Sequence, residues 1–245
     1  MGRSIFITGT DTGVGKTFIT CSLAALLRDL GYRVGVMKPV ETGCPERNGK
    51  LFPEDAALLK AASGTPEPLE TICPYLFAEP LAPSIAASRA GDRIEIDHLL
   101  DVYREISSKH DVTLVEGAGG LMVPILPSFT FCDFARVCEL PILVVTANRL
   151  GAINHLLLTL EHAMCKELSV LGYVLNCPFG DRSLAAETNR EVLINLTGGP
   201  CLGELPFLST TEARDGFPAE QFEKEFAFNL IEPILGQARG SPNHP

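Results

Sequence analysis

Gly9-Thr10-Asp11-Thr12-Gly13-Val14-Gly15-Lys16-Thr17, read G-T-D-T-G-V-G-K-T, is the stretch that decides the fold. A short β-branched and aromatic run, Ile5-Phe6-Ile7-Thr8, precedes it, and an apolar segment with helical spacing, Phe18 to Leu30, follows it. Strand, glycine loop and helix in that order are the context of a phosphate-binding loop, where backbone N–H groups surround an anion at a helix N-terminus. In such a loop Lys16 reaches the terminal phosphates as a point charge and the Thr17 hydroxyl ligates Mg²⁺. The fit to G-x-x-x-x-G-K-[ST] carries one irregularity. Counted back from Gly15, the first glycine position is held by Thr10, so Gly9 stands one residue early. An ordinary glycine-rich turn is the bland alternative; the flanking strand and helix favour nucleotide binding.

Working outward, alternating strand-like and helix-like stretches over 245 residues favour one large α/β domain. With 30 acidic against 20 basic residues, the formal net charge is −10. That argues against a surface for nucleic acid or acidic lipid, so a phosphate ligand must be held by a few placed cations. The eight cysteines form no C-x-x-C pair and no cluster at metal spacing. Most lie in apolar runs, as Cys21, Cys132 and Cys177 do, and read as buried reduced thiols. The N-terminus enters a strand without a signal-like region, and no apolar run reaches membrane-spanning length. The expectation is a cytoplasmic protein with no membrane partner.

After the first helix, Tyr32 to Lys38 reads as a second strand bounded by Gly31 and Pro39, Pro39 to Pro53 as a loop, and Glu54 to Ala62 as a helix. The Pro-rich stretch from Thr65 to Ala82 reads as an irregular excursion and a candidate wall for a site. Helices are expected at Pro83 to Ala90, Ile96 to Lys109, Phe129 to Leu140, Gly151 to Leu168 and Ser183 to Leu196. Strands are expected at Asp111 to Glu116, Pro141 to Ala147, Val170 to Asn176 and Cys201 to Pro206. The tail from Gly236 onward is polar and Pro-rich, which suggests disorder beyond a domain of residues 1–235. A mainly parallel sheet flanked by helices follows, with its ligand beyond the carboxyl ends of the strands.

Four strand ends carry polar residues that would converge there: the glycine loop, Lys38, Glu116 and Asn176. Lys38 alone reads as a solvated strand-end lysine; beside a phosphate loop it reads as a second cation for a transferring phosphoryl group. Glu116 closes an apolar strand, where a carboxylate is costly unless paired or bound to metal. Asp55 stands at a helix start, where it either complements the helix dipole or faces Mg²⁺. His155 and His162 lack acidic or cysteine partners at ligand spacing and read as structural.

Together these motifs resemble the dethiobiotin synthetase family. The likeness is carried by Gly9 to Thr17, K-P-V-E-T-G (Lys38 to Gly43), Y-L-F-A-E-P-L-A-P (Tyr75 to Pro83), V-E-G-A-G-G (Val115 to Gly120), L-G-A-I-N-H (Leu150 to His155) and G-E-L-P (Gly203 to Pro206). It implies a phosphate-loop NTPase fold and ATP- and Mg²⁺-dependent closure of a ureido ring from 7,8-diaminononanoate and CO₂, through a phosphorylated carbamate.

By the same resemblance Lys16, Lys38 and Thr12 are the catalytic candidates, and Thr17, Asp55 and Glu116 surround the metal. The nucleotide would lie against Gly13, Val14, Gly15, Lys16, Thr17 and Phe18, against Gly117, Ala118 and Gly119, and against Asn176, Cys177, Leu205, Pro206 and Phe207. Thr42 would join Lys38 and Thr12 on the carbamate, while Gly151 and Asn154 of a partner subunit would meet the substrate carboxylate in a homodimer. Position 13 is Gly where some relatives carry Glu, so that carboxylate's role does not transfer; position 42 is Thr where Ser also occurs. A MinD/ParA-like ATPase switch is the alternative of another class, but this loop has Thr10 and Asp11 where those proteins carry an extra lysine. Cobyrinic acid amidases share the loop and need a glutaminase domain, for which this chain has no room.

Overall fold

The computed structural model describes residues 3–178 and 183–207. The chain begins with β1 (Arg3–Gly9), α1 (Lys16–Asp29), β2 (Val34–Met37) and β3 (Val40–Thr42). A small hairpin, β4 (Glu46–Arg47) and β5 (Lys50–Leu51), leads to α2 (Glu54–Ser63), α3 (Leu69–Ile72) and β6 (Tyr75–Phe77). Then come α4 (Pro83–Ala90), α5 (Ile96–Lys109) and β7 (Val112–Gly120), followed by β8 (Pro124–Leu126), β9 (Phe129–Thr130) and α6 (Phe131–Val137). The last described elements are β10 (Ile142–Ala147), α7 (Ala152–Cys165), β11 (Val170–Asn176), α8 (Leu184–Thr197) and β12 (Cys201–Leu205).

Six of these strands make one parallel sheet in the order β12-β11-β10-β1-β7-β2. Phe6 of β1 stands opposite Ile142 on one side and Val115 on the other. The strand order reverses beside β1, since the chain moves first toward β2 and later to β10 on the opposite flank. Open α/β sheets hold their ligands beyond the carboxyl ends at such a reversal.

Successive side chains on the strands point to opposite faces, and both faces are covered. Ile5, Ile7, Leu114, Leu143, Val145 and Val174 pack with Leu23, Leu27 and Leu59 of α1 and α2. Phe6, Val115, Ile142, Val144 and Leu175 pack on the other face with Leu99, Ile106, Phe134, Leu156 and Leu193 of α5 to α8. That is why the strands read as continuous apolar runs rather than alternating ones.

Several expected boundaries move. The loop at Pro39 to Pro53 contains β3 and the β4-β5 hairpin, and the excursion at Thr65 to Ala82 contains α3 and β6, which pairs in parallel with β3. Strands of two or three residues are too short to show a period. The helix expected from Phe129 begins at Phe131, because Phe129 and Thr130 pair with β8 and Thr130 then caps the helix reciprocally with Asp133. The strand expected to stop at Glu116 runs on to Gly120. Of the cysteines, Cys21, Cys44, Cys73 and Cys132 are buried, but Cys177 is half-buried and Cys165 exposed, so burial does not hold for the whole set; all eight are free thiols. The tail expected to be disordered from Gly236 lies outside the described residues. Among the described residues no helix is long and apolar enough to cross a membrane.

Candidate active site

The loop after β1 is shaped by its glycines. Gly13 and Gly15 have φ of 74° and 94°, left-handed values that L side chains adopt only with strain. Gly15 is the N-cap of α1, whose first turn carries no acidic residue of its own. Gly9 is needed although it falls outside the usual spacing. A Cβ there would come within 2.8 Å of the Asp11 carbonyl and of Val14 Cγ2, and 3.0 Å from Lys16 Nζ.

Lys16 is buried, and its ammonium donates to the Asp11 carbonyl oxygen at 3.2 Å. No carboxylate lies within ion-pair distance of it among the described residues. Burial, with Lys38 adding repulsion, pushes its pKa down to about 8.

Lys38, just past β2, is in the opposite situation. Its Nζ lies 2.6 Å from Glu116 Oε1 and 2.7 Å from Asp55 Oδ2. Burial opposes its charge, yet the two carboxylates hold its pKa above the ordinary lysine value. The reading of Lys38 as a solvated strand-end lysine is thereby excluded: only 3 % of its surface is exposed. Asp55 is held below the usual carboxylate range by Lys38 and Thr17, against the opposing effect of burial.

Glu116 is the junction. It is fully buried, and its Oε1 accepts from both Thr17 Oγ1 at 2.8 Å and Lys38 Nζ. Its Oε2 is buried with no hydrogen-bond partner. A buried carboxylate oxygen left in this way is costly unless a ligand or ion completes it. Among the described residues no group of three or more His, Cys, Asp or Glu could hold a metal ion alone. The donors present, two carboxylates and a hydroxyl, suit instead an ion that keeps waters and shares phosphate oxygens, as Mg²⁺ does.

The structure places the other expected residues around this centre. Gly117 packs against the Phe6 ring, where a Cβ would lie 2.7 Å from Cζ. Ala118 packs partly buried on the core, and a Cβ on Gly119 would lie 3.5 Å from Thr12 Oγ1. Thr12 is exposed on the loop, and Thr42 is half-buried on β3. Asn176, at the end of β11, donates its amide to the Val14 carbonyl at 2.8 Å. A Cβ on Gly15 would lie only 2.1 Å from that nitrogen. Cys177 donates its N–H to the Leu205 carbonyl, which brings Pro206 and half-exposed Phe207 beside Asn176. Phe18 packs against the core from α1. Gly151 and Asn154 are exposed in the first turn of α7. His155 is exposed and His162 half-buried.

Sequence reasoning missed Glu41. This buried carboxylate accepts from the Asp55 N–H at 2.9 Å and the Ala56 N–H at 3.0 Å, capping α2 from outside the helix and so seating Asp55. Burial pushes its own pKa up despite those two amides. The available signal was an acid between apolar Val40 and the turn at Gly43, three residues after a site lysine.

A family profile described as "AAA domain" matches residues 3–215. The ATP-dependent dethiobiotin synthetase BioD of Bacillus cereus is 42 % identical over 203 residues, covering 82 % of each chain. That of Thermodesulfovibrio yellowstonii is 39 % identical over 217 residues, covering 85 % of this chain and 90 % of its own. Among solved structures, a cobyrinic acid a,c-diamide synthase from Mycobacterium smegmatis with bound ADP and magnesium aligns with a TM-score of 0.56 at 15 % identity, over 99 % of this chain and 98 % of its own. A ParA family ATPase from Chlorobium tepidum aligns with a TM-score of 0.55 at 14 % identity, over 96 % of this chain and all of its own. These two share the fold alone, whereas the sequence relatives reach further, and the chain belongs to the dethiobiotin synthetase family, ligases of biotin synthesis.

Proposed function

We propose that this chain closes the ureido ring of dethiobiotin from 7,8-diaminononanoate and CO₂, with ATP activating a carbamate. One amine adds to CO₂ and loses a proton to give the carbamate. A carbamate oxygen then takes the γ-phosphoryl group as ADP leaves. The second amine attacks the activated carbonyl carbon, expels phosphate and loses its proton. The observation that carries this reading is Glu116, buried, shared by Thr17 and Lys38, and left with one unpartnered oxygen at the mouth of a phosphate loop.

Each residue then has a defined task. The loop amides from Gly13 to Phe18 receive the phosphates, and Lys16 neutralises them. Lys38, with Thr12 and Thr42, orients the carbamate and spreads the charge of the transferring group. Thr17, Asp55 and Glu116 would hold Mg²⁺, which would supply charge neutralisation for the phosphates. Asn176, with the 205–207 segment, supplies the purine side. Phosphoryl transfer demands positioning and electrostatics more than covalent chemistry, so no protein nucleophile is needed.

A homodimer belongs to this reading, with Gly151 and Asn154 of the partner subunit at the substrate carboxylate. It is supported by the outward side of α7, where Leu158 and Met164 are exposed. Sedimentation should give a dimer at assay concentration; a fully active monomer would remove this element.

The decisive measurement is ADP release from ATP, Mg²⁺ and bicarbonate with and without 7,8-diaminononanoate. Diamine-dependent turnover is expected. ATP hydrolysis indifferent to the diamine would instead favour a switch ATPase.

A further inference from the structure

The turn from β10 into α7 is pinned by a buried amide pair that the reaction scheme does not use. The Asn148 N–H donates to the Asn176 carbonyl at 2.7 Å, and its side-chain amide donates to the Ala186 carbonyl at 2.9 Å and to Glu204 Oε1 at 2.7 Å. Asn189, on α8, donates to Asn148 Oδ1 at 2.9 Å and to the Arg149 carbonyl at 3.0 Å. Both asparagines are nearly inaccessible, at 2 % and 3 %. All four amide hydrogens of the pair are therefore used. A fully satisfied buried network of this kind fixes one geometry and strongly penalises alternatives.

What this turn presents is Arg149. Its guanidinium lies 3.5 Å from Asp11 Oδ2, while Asp11 Oδ1 accepts from the Thr12 N–H at 2.7 Å and the Asp11 carbonyl accepts from Lys16 Nζ. Asp11 thus has three contacts, one to a fixed outside point and two to residues of the phosphate loop. It belongs to the half of the loop that is one residue longer than the usual spacing, where an outside tether is most useful. A half-exposed ion pair is ordinarily weak, because two long side chains must be ordered. Here one end starts from backbone already held by Asn189.

We propose that Arg149 is a positioning residue acting through Asp11: seated by the Asn148–Asn189 pair, it holds Thr12 and Lys16 in place for phosphoryl transfer. The effect on turnover rests on the synthetase reading; the tether itself does not.

The test compares Arg149→Ala, Arg149→Lys, Asp11→Ala and the Arg149→Ala/Asp11→Ala double variant in the diamine-dependent assay at low salt. Arg149→Ala should lower kcat about threefold to fivefold, the scale of a half-exposed ion pair, with KM for ATP changed less than about twofold. Arg149→Lys should recover most of the loss, and the double variant should be no slower than Asp11→Ala alone, which removes the contact to Thr12 as well. Raising ionic strength to about 0.5 M should erase the parent's advantage over Arg149→Ala. Multiplying effects, or an Arg149→Ala enzyme equal to the parent, would overturn the proposal. Hydrogen exchange of residues 10–17 in the nucleotide-free protein gives a readout independent of turnover. Both Arg149→Ala and Asn189→Leu should speed it, and unchanged exchange in the exposed Arg149→Ala variant overturns the tether. Lack of diamine-dependent turnover in the unsubstituted protein strikes the synthetase reading alone and leaves exchange to decide.

Discussion

Lys16 and Lys38 stand in two parts of one site with opposite electrostatics. Lys16, in the glycine loop, is buried with a backbone carbonyl as its partner, and its pKa falls to about 8. Lys38, at the end of β2, is buried between two carboxylates and held above the ordinary value. The difference separates two uses of a cation. Lys38 is part of the folded protein's own charge balance, whereas Lys16 carries a charge that the protein alone does not offset, and an arriving phosphate completes it.

That contrast predicts that removing either lysine harms catalysis, while only one removal harms the fold. Lys38→Met should lower kcat by about a hundredfold or more. It should also destabilise the protein by about 3–5 kcal/mol, because Glu116 would be left as a buried, uncompensated carboxylate. A Lys38→Met protein melting with the parent would break the comparison at its root. Lys16→Met should lower kcat by a similar factor of about a hundred, with stability raised rather than lowered, since a desolvated cation is removed. Denaturant unfolding of both variants reads the opposite signs directly.

Gly15→Ala tests whether loop shape, as distinct from charge, sets the Lys16 environment. The added methyl would collide with the Asn176 amide in a left-handed backbone, so nucleotide affinity should drop by about tenfold or more, the scale of 1–3 kcal/mol of backbone strain. Calorimetry with ADP would measure it, and affinity equal to the parent's would show that the loop can shift without loss.

The smallest effect is on pH dependence. Lys16 falls from 10.5 to about 8 on folding, so between those values the unfolded chain binds the extra proton. Its contribution is therefore a penalty fully present below about 8 and relieved as pH rises toward 10.5. Melts across this window should show a rising contribution in the parent relative to Lys16→Met. Nucleotide affinity should move the other way, weakening as Lys16 loses its proton above about 8. Parallel curves for parent and variant would mean that Lys16 does not carry the shift.

The sequence exposed the parts of this site that are written locally. A glycine loop between a β-branched run and an apolar helix is legible because turn geometry and periodicity both lie within a few residues. Lys38 and Glu116 were found as polar residues ending strands. Their partnership was not, because a salt bridge between positions 38 and 116 depends on β7 lying between β1 and β2. Glu41 was missed for the same reason: its helix-capping role exists only once α2 folds back over β3. The extension of β7 through Val115-Glu116-Gly117-Ala118-Gly119-Gly120 was hidden by glycines that ordinarily signal a turn. Here they let the strand approach its neighbours, since a Cβ on Gly120 would sit 3.0 Å from the Gly9 carbonyl.

The central place of β1 also governs when the site can come into being during synthesis. Its flanking strands, β7 and β10, emerge from the ribosome only with residues 112–120 and 142–147. Until then the apolar Ile5-Phe6-Ile7 run has neither neighbour, and pairing across such separations is slow. A nascent chain thus spends a long interval with this central strand uncovered, a hazard for aggregation. Nucleotide cannot shorten that interval, because the loop that would hold it is shaped by strands not yet made. Its stabilising effect falls on the completed sheet.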